Sequence, residues 1–234
     1  MKKLKEHILF EMTGLPGSGK TTLVKKLKEN LSFTAKEDYI NEVGKLSVMQ
    51  KIIQVSGFAL KQPLMLFYLM MFLLSNWKFN AKAIERALKF FLGAAYTQHL
   101  INHKKHNGIL VYDQGLIQDL WALMLYTGNK NTKYLAKIIT LTLKNFNVIC
   151  INLEINSESA VNRIGQRAYD GCEFDNMDRN RVQNLFSSKR ANFDLLLELV
   201  GKEKVHHIKG NDDVEINCKQ SRNIIENEMK VKGR

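Results

Sequence analysis

The stretch Gly14-Leu15-Pro16-Gly17-Ser18-Gly19-Lys20-Thr21-Thr22 restricts this chain more than any other feature. Residues 14–21 match G-x-x-x-x-G-K-[ST] without a gap. The flanks agree with it. His7 to Thr13 (HILFEMT) is an apolar run that stops at glycine, which predicts a buried strand. Thr21 to Leu31 has apolar residues at Leu23, Val24, Leu27 and Leu31, a helical spacing with lysines on the other face. Each residue type has a physical reason. Glycines allow backbone conformations and close approach that a side chain would block. Their N–H groups then converge on phosphate oxygens, and the following helix adds its positive N-terminal end. Lys20 can reach the β- and γ-phosphates, and the Thr21 hydroxyl can ligate Mg²⁺. The whole run Gly14–Thr22 is therefore the expected nucleotide cradle. The dinucleotide pattern G-x-G-x-x-G is not met, because Leu15 and Pro16 separate Gly14 from Gly17.

Further strands are predicted at 33–36, 108–112, 147–153 and 204–208, with helices between them. Strands alternating with helices give an α/β fold with a parallel sheet and helices on both faces. Ligands then bind where the strand ends meet one edge. Residues 46–104 are helical throughout, with breaks expected at Gly57 and Pro63 and again at 76–80; they read as an insertion packed over that edge. The chain of 234 residues shows no internal repeat and no domain boundary, so one domain over 1–234 is expected.

Ile109-Leu110-Val111-Tyr112-Asp113 ends an apolar strand on a carboxylate, the pattern of a Walker B element. Asp113 is the expected Mg²⁺-associated acid, with Thr21 as its companion ligand. Glu37 and Asp38 follow the second predicted strand. Either could orient or deprotonate an acceptor hydroxyl, and the residues do not choose between them. Ser157 and Glu158 suit a helix start, and Arg163 and Arg167, four apart, would share one face of that helix. Two guanidinium groups there suit a phosphate whose charge shifts during transfer. The polar, glycine-containing segment beyond them extends an expected lid over about 163–180.

Taken together, GLPGSGKTT, VYDQG and INLEINSESAVNRIGQR resemble the P-loop kinases of the nucleoside and nucleotide kinase group. Thymidylate kinase is the nearest type. The resemblance implies a three-layer P-loop fold with a five-stranded parallel sheet in the order 2-3-1-4-5. It implies Arg163 and Arg167 on a lid over the phosphates, an acceptor pocket built from residues 46–104, and the loop 210–213 near the base of the donor nucleotide. Two departures bear on the acceptor. Thymidylate kinases carry an arginine beside the strand-three acid, where Gln114 and Gly115 stand here; and the helix around Leu64–Leu74 is unusually apolar for a nucleotide pocket. A nucleotide, a nucleoside or another metabolite such as a sugar or antibiotic all remain open as the acceptor. Gln114, Gln118, Arg86, Tyr68 and Tyr96 are candidate contacts to it.

The expected activity is an ATP- and Mg²⁺-dependent transfer to a small-molecule phosphate acceptor. The alternative is an ATPase or nucleotide-dependent switch acting on a macromolecule. A guanine switch is disfavoured, since Asn129-Lys130-Asn131-Thr132 lacks the final Asp of N-K-x-D. The balance of 35 basic against 23 acidic residues, a net +12, favours anionic partners. Nucleic acid is disfavoured, because no aromatic–basic stripe occurs. A membrane surface rests on Pro63–Leu74 (PLMLFYLMMFLL), a run shorter than the roughly 20 residues of a spanning helix, and a buried core helix is the preferred reading. A homodimer is compatible with the sequence. Cys150, Cys172 and Cys218 form no CxxC pair, so neither a disulfide framework nor a zinc site is expected, and a reducing, cytoplasmic setting is.

Overall fold

The computed structural model describes residues 7–30, 47–75, 81–103, 109–127, 132–166, 174 and 177–232. Its elements run β1 (Ile8–Thr13), α1 (Lys20–Asn30), α2 (Val48–Lys61), α3 (Pro63–Ser75), α4 (Ala81–His103), β2 (Ile109–Tyr112), α5 (Leu116–Tyr126), α6 (Thr132–Asn145), β3 (Asn147–Glu154), α7 (Ser157–Gly165), α8 (Arg179–Val200), β4 (Val205–Lys209) and α9 (Val214–Lys232).

The sheet is parallel, in the order β2-β1-β3-β4. β1 is central because its six residues are all buried and β-strand side chains alternate between faces. Ile8, Phe10 and Met12 pack with Leu23, Val24 and Leu27 of α1 and Ile225 of α9. Leu9 points into the larger core, where α4, α5, α6 and α8 meet. β2 and β3 divide in the same way, with Val111 and Ile151 on the α1/α9 side and Tyr112 and Cys150 on the other. The result is helix, sheet, helix, as expected.

Numbered as in the sequence reading, the observed strands run 3-1-4-5. That is the expected order without its first member: four strands among the described residues against five predicted. The segment 33–36 lies outside the described residues, as do Glu37 and Asp38.

The helical insertion is present, with two corrections. Gly57 does not break α2; the helix runs through it, and a Cβ there would meet nothing within 4 Å. One interior glycine costs only about 1 kcal/mol, which the packing of Phe58 and a capping box at Ser47 outweigh. The break falls at Gln62, where α2 and α3 meet at 99°. Pro63 is the first residue of α3, a position whose N–H would be unpaired in any case. Gln62 Nε2 donates to Asn145 Oδ1 at 3.0 Å and ties this corner to the end of α6.

The second correction concerns α3 itself. Only Met65, Leu69 and Phe72 are buried, one stripe at helical spacing. Leu64, Phe67, Met70 and Leu74 are 50–58% exposed. A helix apolar on every side has no phase to read, and the neighbouring helices cover only one of its faces.

Candidate functional site

The loop after β1 adopts the geometry its glycines allow. Gly14, Gly17 and Gly19 have φ of +141°, +87° and +97°. A Cβ on Gly14 would lie 2.7 Å from the Leu153 carbonyl oxygen, and one on Gly17 would lie 2.5 Å from the Ala160 carbonyl oxygen. The loop is thus pressed between the end of β3 and the first turn of α7, where no side chain fits. Lys20, buried at the start of α1, donates from Nζ to the carbonyls of Gly14 (2.9 Å) and Leu15 (3.0 Å). An ammonium held by two loop carbonyls is close enough to exchange them for phosphate oxygens.

β1 and β2 run side by side, with Glu11 opposite Tyr112. This pairing brings Asp113 alongside the loop. The Thr21 hydroxyl donates to Asp113 Oδ2 at 2.7 Å. Asp113 is 4% exposed, and its Oδ1 has no hydrogen-bond partner in the protein. Buried carboxylate oxygens ordinarily find a donor or a cation. A hydroxyl and an orphaned carboxylate oxygen are hard donors, and they fit Mg²⁺. The structure therefore brings together the two residues expected to serve the metal.

A second carboxylate lies beneath the loop. Glu11, in the middle of β1, is fully buried. Its Oε1 accepts from the Gln118 N–H at 2.6 Å and its Oε2 from the Ile117 N–H at 3.1 Å. It thereby caps α5, whose own N-cap, Gly115, offers no side chain. A Cβ on Gly115 would lie 2.6 Å from Glu11 Oε2, so Asp113-Gln114-Gly115 can turn there only without one. Gln118 in turn accepts the Gly14 N–H on Oε1 at 3.2 Å. Loop, strand and α5 form one connected unit. Burial pushes the Glu11 carboxyl up from 4.5 to about 7, against the opposing pull of the backbone N–H groups. Burial, and then the Glu11 charge, also hold Asp119 well above the usual carboxylate range. Sequence reasoning missed Glu11, although an acid inside the apolar run HILFEMT was a visible signal.

Arg163 is on α7, as expected, but the structure engages it elsewhere. Its Nη1 donates to the Gly210 carbonyl at 2.8 Å and its Nη2 to Asn211 Oδ1 at 3.2 Å. Gly210 lies against the loop in turn, since a Cβ there would sit 3.3 Å from the Ser18 carbonyl oxygen. Arg163 thus clamps the loop after β4 to the rim of the phosphate cradle. Arg167 lies outside the described residues.

Four of the five candidate acceptor contacts are engaged within the protein. Gln118 is committed to Gly14, Tyr68 packs near the Tyr134 ring at 6.4 Å, and buried Tyr96 stacks near His99 at 6.5 Å. Arg86 sits 5.9 Å from the centre of the Tyr126 ring. His206 and His207 pair with Glu228 and Glu154 at the surface, and no metal-holding cluster of His, Cys, Asp or Glu occurs among the described residues.

No family model and no curated protein matches the chain. Solved structures do. Deoxyadenosine kinase from M. mycoides, solved with the products dCMP and a flexible dCDP, has 15% identity and a TM-score of 0.55 over 94% of this chain and 99% of its own. The same enzyme with bound dATP gives 13% and 0.53 over 93% and 99%. A shikimate kinase from Bacteroides thetaiotaomicron has 10% identity and a TM-score of 0.49 over 94% and 98%. Over nearly its whole length, then, this chain has the fold of the P-loop kinases.

Proposed function

We propose that the protein is a phosphotransferase moving the γ-phosphate of ATP to a small-molecule acceptor, with a nucleoside or nucleotide favoured. The observation that carries this reading is the pairing of Thr21 with Asp113, whose second oxygen is orphaned beside a complete phosphate loop. The fold shared with a deoxyadenosine kinase supports the acceptor class.

The chain's own groups divide the work. The N–H groups of residues 14–21 hold the phosphates, and Lys20 leaves the Gly14 and Leu15 carbonyls to bridge the β- and γ-oxygens. Thr21 and Asp113 would hold Mg²⁺, which when bound neutralises charge on those oxygens. Glu37 or Asp38 orients the acceptor hydroxyl and takes its proton. Arg163 and Arg167 answer the charge that moves to the transferring group. Arg163 also holds the Gly210 carbonyl, so nucleotide binding and the position of the β4–α9 loop are linked. Residues 46–104 form the acceptor side and about 163–180 the lid, within one domain over 1–234.

The test is ADP release from ATP with Mg²⁺ across nucleosides, nucleoside monophosphates, sugars and aminoglycosides, with Lys20→Ala as control. A rise with one acceptor class, lost in the control, supports the reading. Hydrolysis indifferent to every acceptor would instead favour an ATPase or switch.

A further inference from the structure

Gly14 opens the phosphate loop, and two hydrogen bonds hold it. Its carbonyl accepts from Lys20 Nζ at 2.9 Å, and its N–H donates to Gln118 Oε1 at 3.2 Å. Both matter because the residue is glycine. With φ at +141° and no Cβ, it occupies a conformation that glycine also leaves easily. The Leu153 carbonyl forbids a side chain there, so no residue with a narrower choice of conformations can take the position. The hold must therefore come from partners rather than from the chain itself. The bond to the N–H fixes the peptide plane entering Gly14, and the bond to the carbonyl fixes the plane leaving it.

Nucleotide treats these two bonds differently. Lys20 is the group that turns to the phosphates, which takes away the bond to the Gly14 carbonyl. The Gln118 bond remains, and Gln118 is built to keep it. It is 6% exposed, sits in the first turn of α5, and donates its own N–H to Glu11 Oε1 at 2.6 Å. Glu11 is on β1, three residues before Gly14. The strand that leads into the loop thus also supplies the acid that fixes the loop's holder. An amide can offer only its oxygen to an N–H, so the Gln118 amide has one orientation there. α5 begins three residues after Asp113, so the same bond sets the loop against the turn that carries the expected metal acid.

We propose that Gln118 is a positioning residue of the phosphate loop. It acts through Gly14: by holding that N–H it keeps the cradle in its binding conformation while Lys20 changes partners. A side chain without an acceptor at position 118 would leave the buried Gly14 N–H unpaired. The glycine then relaxes toward other conformations. Nucleotide binding has to restore the cradle first, which lowers the apparent affinity in proportion to the fraction of loops still in place. The kinetic part of this inference rests on the phosphotransferase reading; the binding part does not.

The full chain is titrated with ADP and Mg²⁺ by calorimetry, and its urea unfolding is followed in parallel. Gln118→Met keeps the length of the side chain and removes the acceptor; it should weaken ADP binding about tenfold. Gln118→Glu restores an oxygen at the same reach and should bind within about threefold of wild type. Ile139→Ala, in the core on α6 and outside the site, lowers stability and should bind ADP as wild type does. If Gln118→Met does not fold, Gln118→Asn, too short to reach Gly14, takes its place with the same expectation. With the acceptor found by the panel, Gln118→Met should lower kcat and leave the acceptor KM unchanged. Wild-type affinity in Gln118→Met, an equal loss in Ile139→Ala, or a Gln118→Glu as weak as Gln118→Met would overturn the proposal. A wild type that binds ADP but transfers to no acceptor would overturn the phosphotransferase reading instead, and the affinities would still decide the role of Gln118.

Discussion

Replacing Glu11 by glutamine should flatten one limb of the protein's stability–pH curve. The folded chain holds this carboxyl at about 7, against an ordinary 4.5. A raised carboxyl pKa means that the folded state binds the proton more tightly than the unfolded one. Stability from this group is therefore complete below pH 4.5, declines as pH rises, and is lost above about 7. A shift of that size corresponds to about 3 kcal/mol across the window. Glutamine is neutral throughout and keeps one oxygen for the α5 N–H groups, much as the protonated acid does. Wild type and Glu11→Gln should then unfold at similar urea concentrations near pH 4.5. Above pH 7 the variant should gain about 3 kcal/mol relative to wild type. Fluorescence of buried Trp121, which packs 5.4 Å from Phe193, is the probe. Taking the difference between the two proteins cancels the titrating groups that do not sense the Glu11 charge, and running both in an Asp119→Asn background removes the buried carboxyl that does. Parallel curves across the whole range, or a wild type that gains on the variant as pH rises, would refute the assigned environment of Glu11.

Three further predictions concern the loop and the insertion. Thr21→Val and Asp113→Asn should each lower Mg²⁺-dependent ATP turnover by about a hundredfold or more, while ATP binding without metal changes little; isothermal titration with and without Mg²⁺ separates the two. Gly17→Ala meets the Ala160 carbonyl at 2.5 Å with φ at +87° and should cost about 1–3 kcal/mol, whereas Gly57→Ala meets nothing and should stabilise by about 0.5–1 kcal/mol in urea unfolding. On α3, Met65→Ala should cost about 2–5 kcal/mol and Leu64→Ala less than about 0.5 kcal/mol, because the first is buried and the second is 58% exposed.

The readable parts of the chain were those governed by local rules. The phosphate loop was legible because only glycine satisfies its positive φ and its contacts with Leu153 and Ala160. The strand at 109–112 and its terminal Asp113 were legible because a buried parallel strand needs an unbroken apolar run. The expected meeting of Thr21 and Asp113 followed from those two signals, although 92 residues separate them. What stayed hidden depends on distant partners. Gly115 is needed because Glu11 presses on it, and nothing near position 115 says so. Arg163 has a basic residue's usual choice of anion or carbonyl, and its partner Gly210 lies 47 residues away. The exposure of α3 was hidden for the opposite reason: a helix apolar all round carries no pattern that tells its packed face from its open one.

The central claim is transfer rather than hydrolysis. ATP labelled on the γ-phosphate, incubated with Mg²⁺ and a panel of nucleosides and nucleotides, tests it most directly. The account predicts label in an organic phosphate product with one acceptor class, and none with Lys20→Ala. Label that appears only in inorganic phosphate, whatever the acceptor, would contradict it.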